Sequence, residues 1–127
     1  MNESTGKLIL RLSLGILVLL HGIAKLMHGI GFISNTVHAA GLPGFVAYGV
    51  YVGEVVAPLL VLLGWYSRIG AAVIAINMVF AIALVHKSQL AALSETGGWA
   101  LELQGMFLFT AVAIALLGPG RFSINQK

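Results

Sequence analysis

The sequence predicts an all-α membrane protein: a four-transmembrane-helix up-down bundle with both termini cytoplasmic. Three observations predict it. Of 127 residues, 59% are hydrophobic and 9% are charged, with a mean hydropathy of +1.00, whereas a soluble domain carries about 25% charged residues. Seven basic and four acidic side chains cannot cover a soluble surface, so the lipid bilayer has to act as solvent and first partner. Four apolar stretches, at about 8–27, 45–64, 69–86 and 99–117, each approach the roughly 20 residues that cross a hydrocarbon core. Short connections join them within a single domain, 1–127.

The same composition narrows the function classes. The basic residues are scattered singly, so no nucleic-acid patch forms, and they read instead as orientation signals. No cysteine is present, which excludes disulfide exchange, thiolate metal ligation and covalent haem attachment. Lys7 and Arg11 precede an apolar run without a small-residue cleavage site, so this segment reads as a retained first span rather than a signal peptide.

The first span, LILRLSLGILVLLHGIAKLM, holds Arg11 near one end, where a long side chain is expected to snorkel to the headgroups. His21, Lys25 and His28 recur at i, i+4, i+7 and share a helical face. That face is either an interfacial anchor or the inward side of the bundle. Residues 28–44 are too polar and too short to span. Ser34–Ala40 suits an interfacial turn or two with Ser34 or Asn35 as cap, stopped by Gly41-Leu42-Pro43-Gly44.

The second span, FVAYGVYVGEVVAPLLVLLG, carries Glu54 near its middle. A charge there costs about 2.5–3.5 kcal/mol on insertion scales, so such a group faces the bundle interior and has a partner. Pro58 removes the hydrogen bond to the Glu54 carbonyl four residues back, predicting a kink and a freed carbonyl. Tyr48 and Tyr51 fall near the Glu54 face. Trp65-Tyr66-Ser67-Arg68 is a tight connection with belt aromatics, making spans two and three antiparallel neighbours.

The third span is rich in small residues that permit close packing, and Asn77, its strongly polar interior residue, suits a helix–helix hydrogen bond. His86 and Lys87 close it. After the loop 88–98, Trp99 and Glu102 open the fourth span, Gly118-Pro119-Gly120 breaks it, and RFSINQK is a polar tail.

Lys7, Arg11, Arg68, Arg121 and Lys127 collect on one side, against Lys25 and Lys87 with Glu95 on the other. The positive-inside rule places the first group, and both termini, in the cytoplasm. His21, Lys25, Glu54, His86 and Glu102 then share the outer half of the bilayer, with Glu54 about nine residues, or about 13 Å, from the outer start of its span. Two readings stay open: a structural ion-pair network, with Lys25 pairing Glu54 or Glu102, and a ligand pocket.

These residues together resemble the DoxX family of small bacterial inner-membrane proteins. The likeness is carried by His-Gly-x-x-Lys-Leu at 21–26, Glu54 with Pro58, Gly64-x-x-x-Arg68-x-Gly70-Ala71, His86, Gly97-Gly98-Trp99 with Glu102, and Leu117-Gly118-Pro119-Gly120-Arg121-Phe122-Ser123. The family is named for a relation to the small subunit of an archaeal thiosulfate:quinone oxidoreductase, and some members are associated with membrane oxidoreductase complexes and thiol or oxidative stress. The resemblance implies a multi-pass protein of the bacterial inner membrane with four helices and cytoplasmic termini. It supplies no catalytic residue.

The leading expectation is therefore a membrane component of a redox or thiol-stress system that binds a quinone or similar apolar carrier. His21, Lys25, Tyr51, Glu54, His86 and Glu102 are the candidate ligand-binding residues, supplying hydrogen bonds to carrier carbonyls and a path for protons. Neither a glycine-rich nucleotide fingerprint nor a metal site is evident. As an oxidoreductase subunit without its own electron-carrying cofactor, the chain would need a partner protein or a bound carrier. Haem b between His21 and His86 is a lesser alternative. Other classes are a small-amphiphile transporter or binding protein, which as a transporter would require a homo-oligomer, and a structural membrane anchor for a partner protein.

Overall fold

The computed structural model describes residues 2–29, 31–43, 45, 48–84, 98 and 101–125, with the backbone alone at 28, 32, 33, 36, 50, 84 and 102. All regular structure among them is helical. Helix α1 is Asn2–His28 and α2 is Gly31–Ala39. Helix α3 covers 49–63 in three consecutive parts: an α-helical turn at Gly49–Tyr51, a π-helical segment at Val52–Val56 and an α-helical part at Ala57–Leu63. Helices α4, Ser67–Leu84, and α5, Glu102–Leu117, follow.

One described helix, Asn2–Met27, is long and apolar enough to cross a membrane by itself. It begins earlier than the expected Leu8, with Glu3 in its first turn, where a carboxylate complements the positive helix end. The other expected spans coincide with shorter apolar helices, Val52–Leu63, Ser67–Ala83 and Leu103–Leu117. The ends assigned to His86 and Trp99 lie outside the described residues. Helix α2 starts at Gly31, ahead of the expected Ser34.

Helix α1 packs against α3 and α5, and α4 packs against the same two. Each contributes a short stripe to a common core: Leu14 and Val18 from α1, Ala57 and Val61 from α3, Ala71, Ile74 and Met78 from α4, Phe107, Ala111 and Ile114 from α5. The i, i+3, i+4 spacing of these residues places each set on one helical face. The opposite faces stay apolar and exposed, with Ile9, Leu12, Ile16, Leu20 and Ile23 running along α1.

The kink expected at Pro58 takes the form of the π segment, in which the Ala57 N–H bonds to the Val52 carbonyl five residues back. Proline offers no N–H to the Glu54 carbonyl, and its ring would press on that oxygen in a regular α-helix. Widening the turn by one residue relieves both constraints.

At the other end of α3 the structure corrects the expectation for Arg11. Instead of snorkelling to headgroups, Arg11 is 1% exposed. Its Nε donates to the Val61 carbonyl at 2.9 Å and Nη2 to that of Leu62 at 3.1 Å. Nη1 donates to the carbonyls of Pro119 at 3.0 Å and Phe122 at 2.7 Å. The guanidinium thus satisfies the Leu62 carbonyl, which the end of α3 leaves without a backbone partner, and adds a second bond to that of Val61, which also accepts from the Gly64 N–H, at the negative end of the helix dipole. Gly64, at φ +70°, turns the chain here, and a Cβ on it would meet Nη2 of Arg11. The tail folds back on this turn: Asn125 accepts from the Tyr66 N–H at 2.9 Å and donates its own N–H to the Gly64 carbonyl at 3.1 Å. Arg68 does for α5 what Arg11 does for α3, donating to the carbonyls of Ala115 at 3.2 Å and Leu116 at 3.0 Å.

Candidate functional site

Arg11, Leu14, Val18 and Gly22 are buried along one face of α1, and the same stripe ends at Lys25, which is partly buried. The π segment of α3 presents Glu54, itself 4% exposed, to that end of the stripe. Lys25 Nζ lies 2.6 Å from Oε1 and 2.5 Å from Oε2 of Glu54. From α4, Asn77 Nδ2 donates to Oε2 at 3.2 Å. The helix–helix hydrogen bond expected of Asn77 is therefore made to the carboxylate, and three helices meet on one acid.

Burying a charge pair costs several kcal/mol per ion and is repaid only when the geometry is close and the remaining lone pairs are occupied. Both conditions hold: each Glu54 oxygen accepts a hydrogen bond, and the lysine side chain keeps 28% of its surface exposed, limiting its own desolvation. Gly22 makes the approach physically available. A Cβ there would run into the carbonyl of Glu54, so α1 can sit directly on the π segment only without a side chain at 22. Gly53 lies against the Asn77 side chain in the same way.

Beside the pair is a cavity of about 70 Å³ lined by Val18, His21, Glu54, Met78, Gln104 and Phe107 among others. Pockets that enclose a drug-sized ligand run to about 300–1,000 Å³, so this one accommodates a functional group rather than a whole molecule. His21 is held there by two contacts. Its Nδ1 lies 2.9 Å from the Leu17 carbonyl one turn back. Its ring meets that of Phe107 edge to face, with centroids 5.5 Å apart and planes at 85°, a favourable quadrupole arrangement.

The structure thus brings together His21, Lys25 and Glu54 of the expected residues. Tyr51 is half-buried on the preceding turn of α3 with its ring centroid 6.2 Å from that of Tyr48, which is exposed. Glu102 is the first residue of α5, and its side chain is not among those described; His86 lies outside the described residues. Sequence reasoning missed Gly22, Met78, Gln104 and Phe107. Gly22 had a signal, since it sits between His21 and Lys25 on the buried face of an apolar helix. The other three lie on helices so uniformly apolar that no face stands out.

The DoxX family model matches residues 6–87, a stretch that includes Lys25, Glu54 and Asn77. A Bacillus subtilis (strain 168) protein described as "Putative oxidoreductase CatD" is 31% identical over 120 residues, covering 93% of this chain and 84% of that protein. No solved structure matches the chain. With the family model covering well over half of its length and a relative this similar along nearly all of it, the chain belongs to the DoxX family, which is membrane-associated.

Proposed function

We propose that this protein is an integral membrane component of a redox system and binds a quinone or similar apolar carrier at the Lys25–Glu54 pair. In this reading the segments 8–27, 45–64, 69–86 and 99–117 cross the bacterial inner membrane as an up-down bundle with cytoplasmic termini. A partner oxidoreductase exchanges electrons with the carrier. The observation that carries the reading is a buried carboxylate on a π segment, paired with a partly buried ammonium from α1 beside a small cavity that the exposed His21 also lines. Ionisable groups placed inside an apolar bundle mark substrate or proton paths, and π segments recur at functional sites. The description of the Bacillus relative as an oxidoreductase points the same way.

The test is organic extraction of protein purified in mild detergent, followed by quinone titration of wild type and Glu54→Ala. Wild type should carry or saturably bind a quinone, and Glu54→Ala should bind it more weakly. Wild type with neither property overturns the carrier reading. Binding that is indifferent to Glu54, Lys25 and His21 moves the site elsewhere. Paired alkaline phosphatase and fluorescent-protein fusions at the C-terminus check the topology: an active phosphatase there reverses it.

A second reading, a structural anchor for a partner protein, draws on the completeness of the Lys25–Glu54–Asn77 network, which ties α1, α3 and α4 without any ligand. The titration separates the two.

A further inference from the structure

We propose that the cavity beside Glu54 selects the reduced, hydroxyl-bearing form of a ring carrier, with His21 Nε2 and the Glu54 carboxylate accepting from its hydroxyl. The inference rests on the carrier reading above and adds the redox form that the site prefers.

A backbone carbonyl can only accept, so the contact between His21 Nδ1 and the Leu17 oxygen requires the hydrogen to be on Nδ1. In the neutral ring this leaves Nε2 as a bare acceptor, and it is then the one polar atom His21 can offer to the cavity it lines. The edge-to-face contact with Phe107 holds the ring in that orientation. Glu54, ionised opposite Lys25, has no hydrogen to give and presents acceptor oxygens only. Lys25 and Asn77, the donors to Glu54, are not among the cavity-lining residues; both are turned onto the carboxylate. Two acceptors therefore converge on one small space. Gln104 also lines it and can offer either a donor or an acceptor, against the two groups that can only accept.

The oxidised form of a ring carrier brings a carbonyl oxygen, which would set lone pair against lone pair. The reduced form brings a hydroxyl, which donates. The volume of about 70 Å³ suits a hydroxyl with the ring edge that bears it. The remaining wall, with Val18, Met78 and Phe107, is apolar and matches the ring.

The experiment is anaerobic calorimetric titration of the detergent-purified full chain with a short-chain para-benzoquinone and, separately, with its hydroquinone. One unmatched acceptor shifts affinity by about tenfold or more, so wild type should bind the hydroquinone at least about that much more tightly. His21→Phe keeps an aromatic ring and removes the acceptor. It should bring the ratio towards one by weakening the hydroquinone while relieving, not weakening, the quinone. Phe107→Leu, which releases one of the two ring contacts, should lower the ratio by less. The wild-type ratio depends on no variant's folding. Equal affinities, or tighter quinone binding, in wild type overturn the selectivity and leave the carrier reading standing. A ratio unaltered in a His21→Phe protein of wild-type melting temperature removes His21 from the site. Absence of binding by either form overturns both readings together.

Discussion

Arg11 and Lys25 stand at opposite ends of the same buried stripe on α1, fourteen residues and so about 21 Å apart. Each solves the burial of a cation differently. Arg11 spreads its planar fork over four backbone carbonyls from α3 and the tail. Those partners are neutral and do not titrate, and the guanidinium stays charged at all accessible pH. Lys25 meets a carboxylate, with a cavity alongside. That carboxylate can exchange protons and share its lone pairs with a ligand. The deeper burial belongs to the arginine, yet chemistry is available only at the lysine. What answers a buried charge is more informative than how deeply it is buried.

The comparison breaks most visibly at Arg11. Arg11→Leu takes the guanidinium donors from the carbonyls of Leu62, Pro119 and Phe122 and should cost about 3–5 kcal/mol, the largest loss among these variants. Arg11→Lys should recover only part of it, since one ammonium cannot reach four spread acceptors. Detergent melting reads both, and the ligand affinity of the folded protein should stay at the wild-type value. A smaller loss than at Glu54 would invert the comparison.

Glu54→Ala should cost about 2–3 kcal/mol, less because Lys25 can turn its ammonium to more polar surroundings. A cycle of Glu54→Gln and Lys25→Met should show a coupling of about 0.5–3 kcal/mol in melting experiments. Strict additivity would mean that the pair does not act as one. Gly22→Ala should cost about 1–2 kcal/mol by pushing α1 off the π segment, and it should weaken carrier binding without removing any polar group. Unchanged stability and binding would show that the approach of α1 to Glu54 is looser than described. The smallest effect is expected at Arg68, which is exposed. Arg68→Gln should cost about 0.3–1 kcal/mol, the worth of a cation at a helix C-terminus.

Glu54 was legible because an acid in mid-span has to be answered, and Lys25 was legible as a partner on grounds of depth alone. Pro58 announced its disturbance, though not that the disturbance would be a π turn. Arg11 was not legible. Its acceptors are backbone oxygens at 61, 62, 119 and 122, and no side-chain pattern advertises a carbonyl. The glycines at 64 and 118 were a faint trace, for a Cβ at either would strike a guanidinium. The core residues of α5, Phe107, Ala111 and Ile114, sit in a sequence apolar on every side, where periodicity carries no signal.

The π segment also makes the length of α3 a determinant in its own right. One residue turns an α-helix through about 100°, and the widened turn at 52–56 absorbs one residue's worth of rotation. The parts of α3 before and after it are therefore out of phase with a straight helix. Removing any single residue between Tyr51 and Pro58 would let the turn close to an α-helical one, leave the flanking parts facing as they do, and re-aim the residues of the turn itself. Glu54 or its replacement would then face a different neighbour, although no residue that touches Lys25 had been substituted. In this helix a one-residue gap is a more drastic edit than most replacements, and spacing is part of what specifies the site.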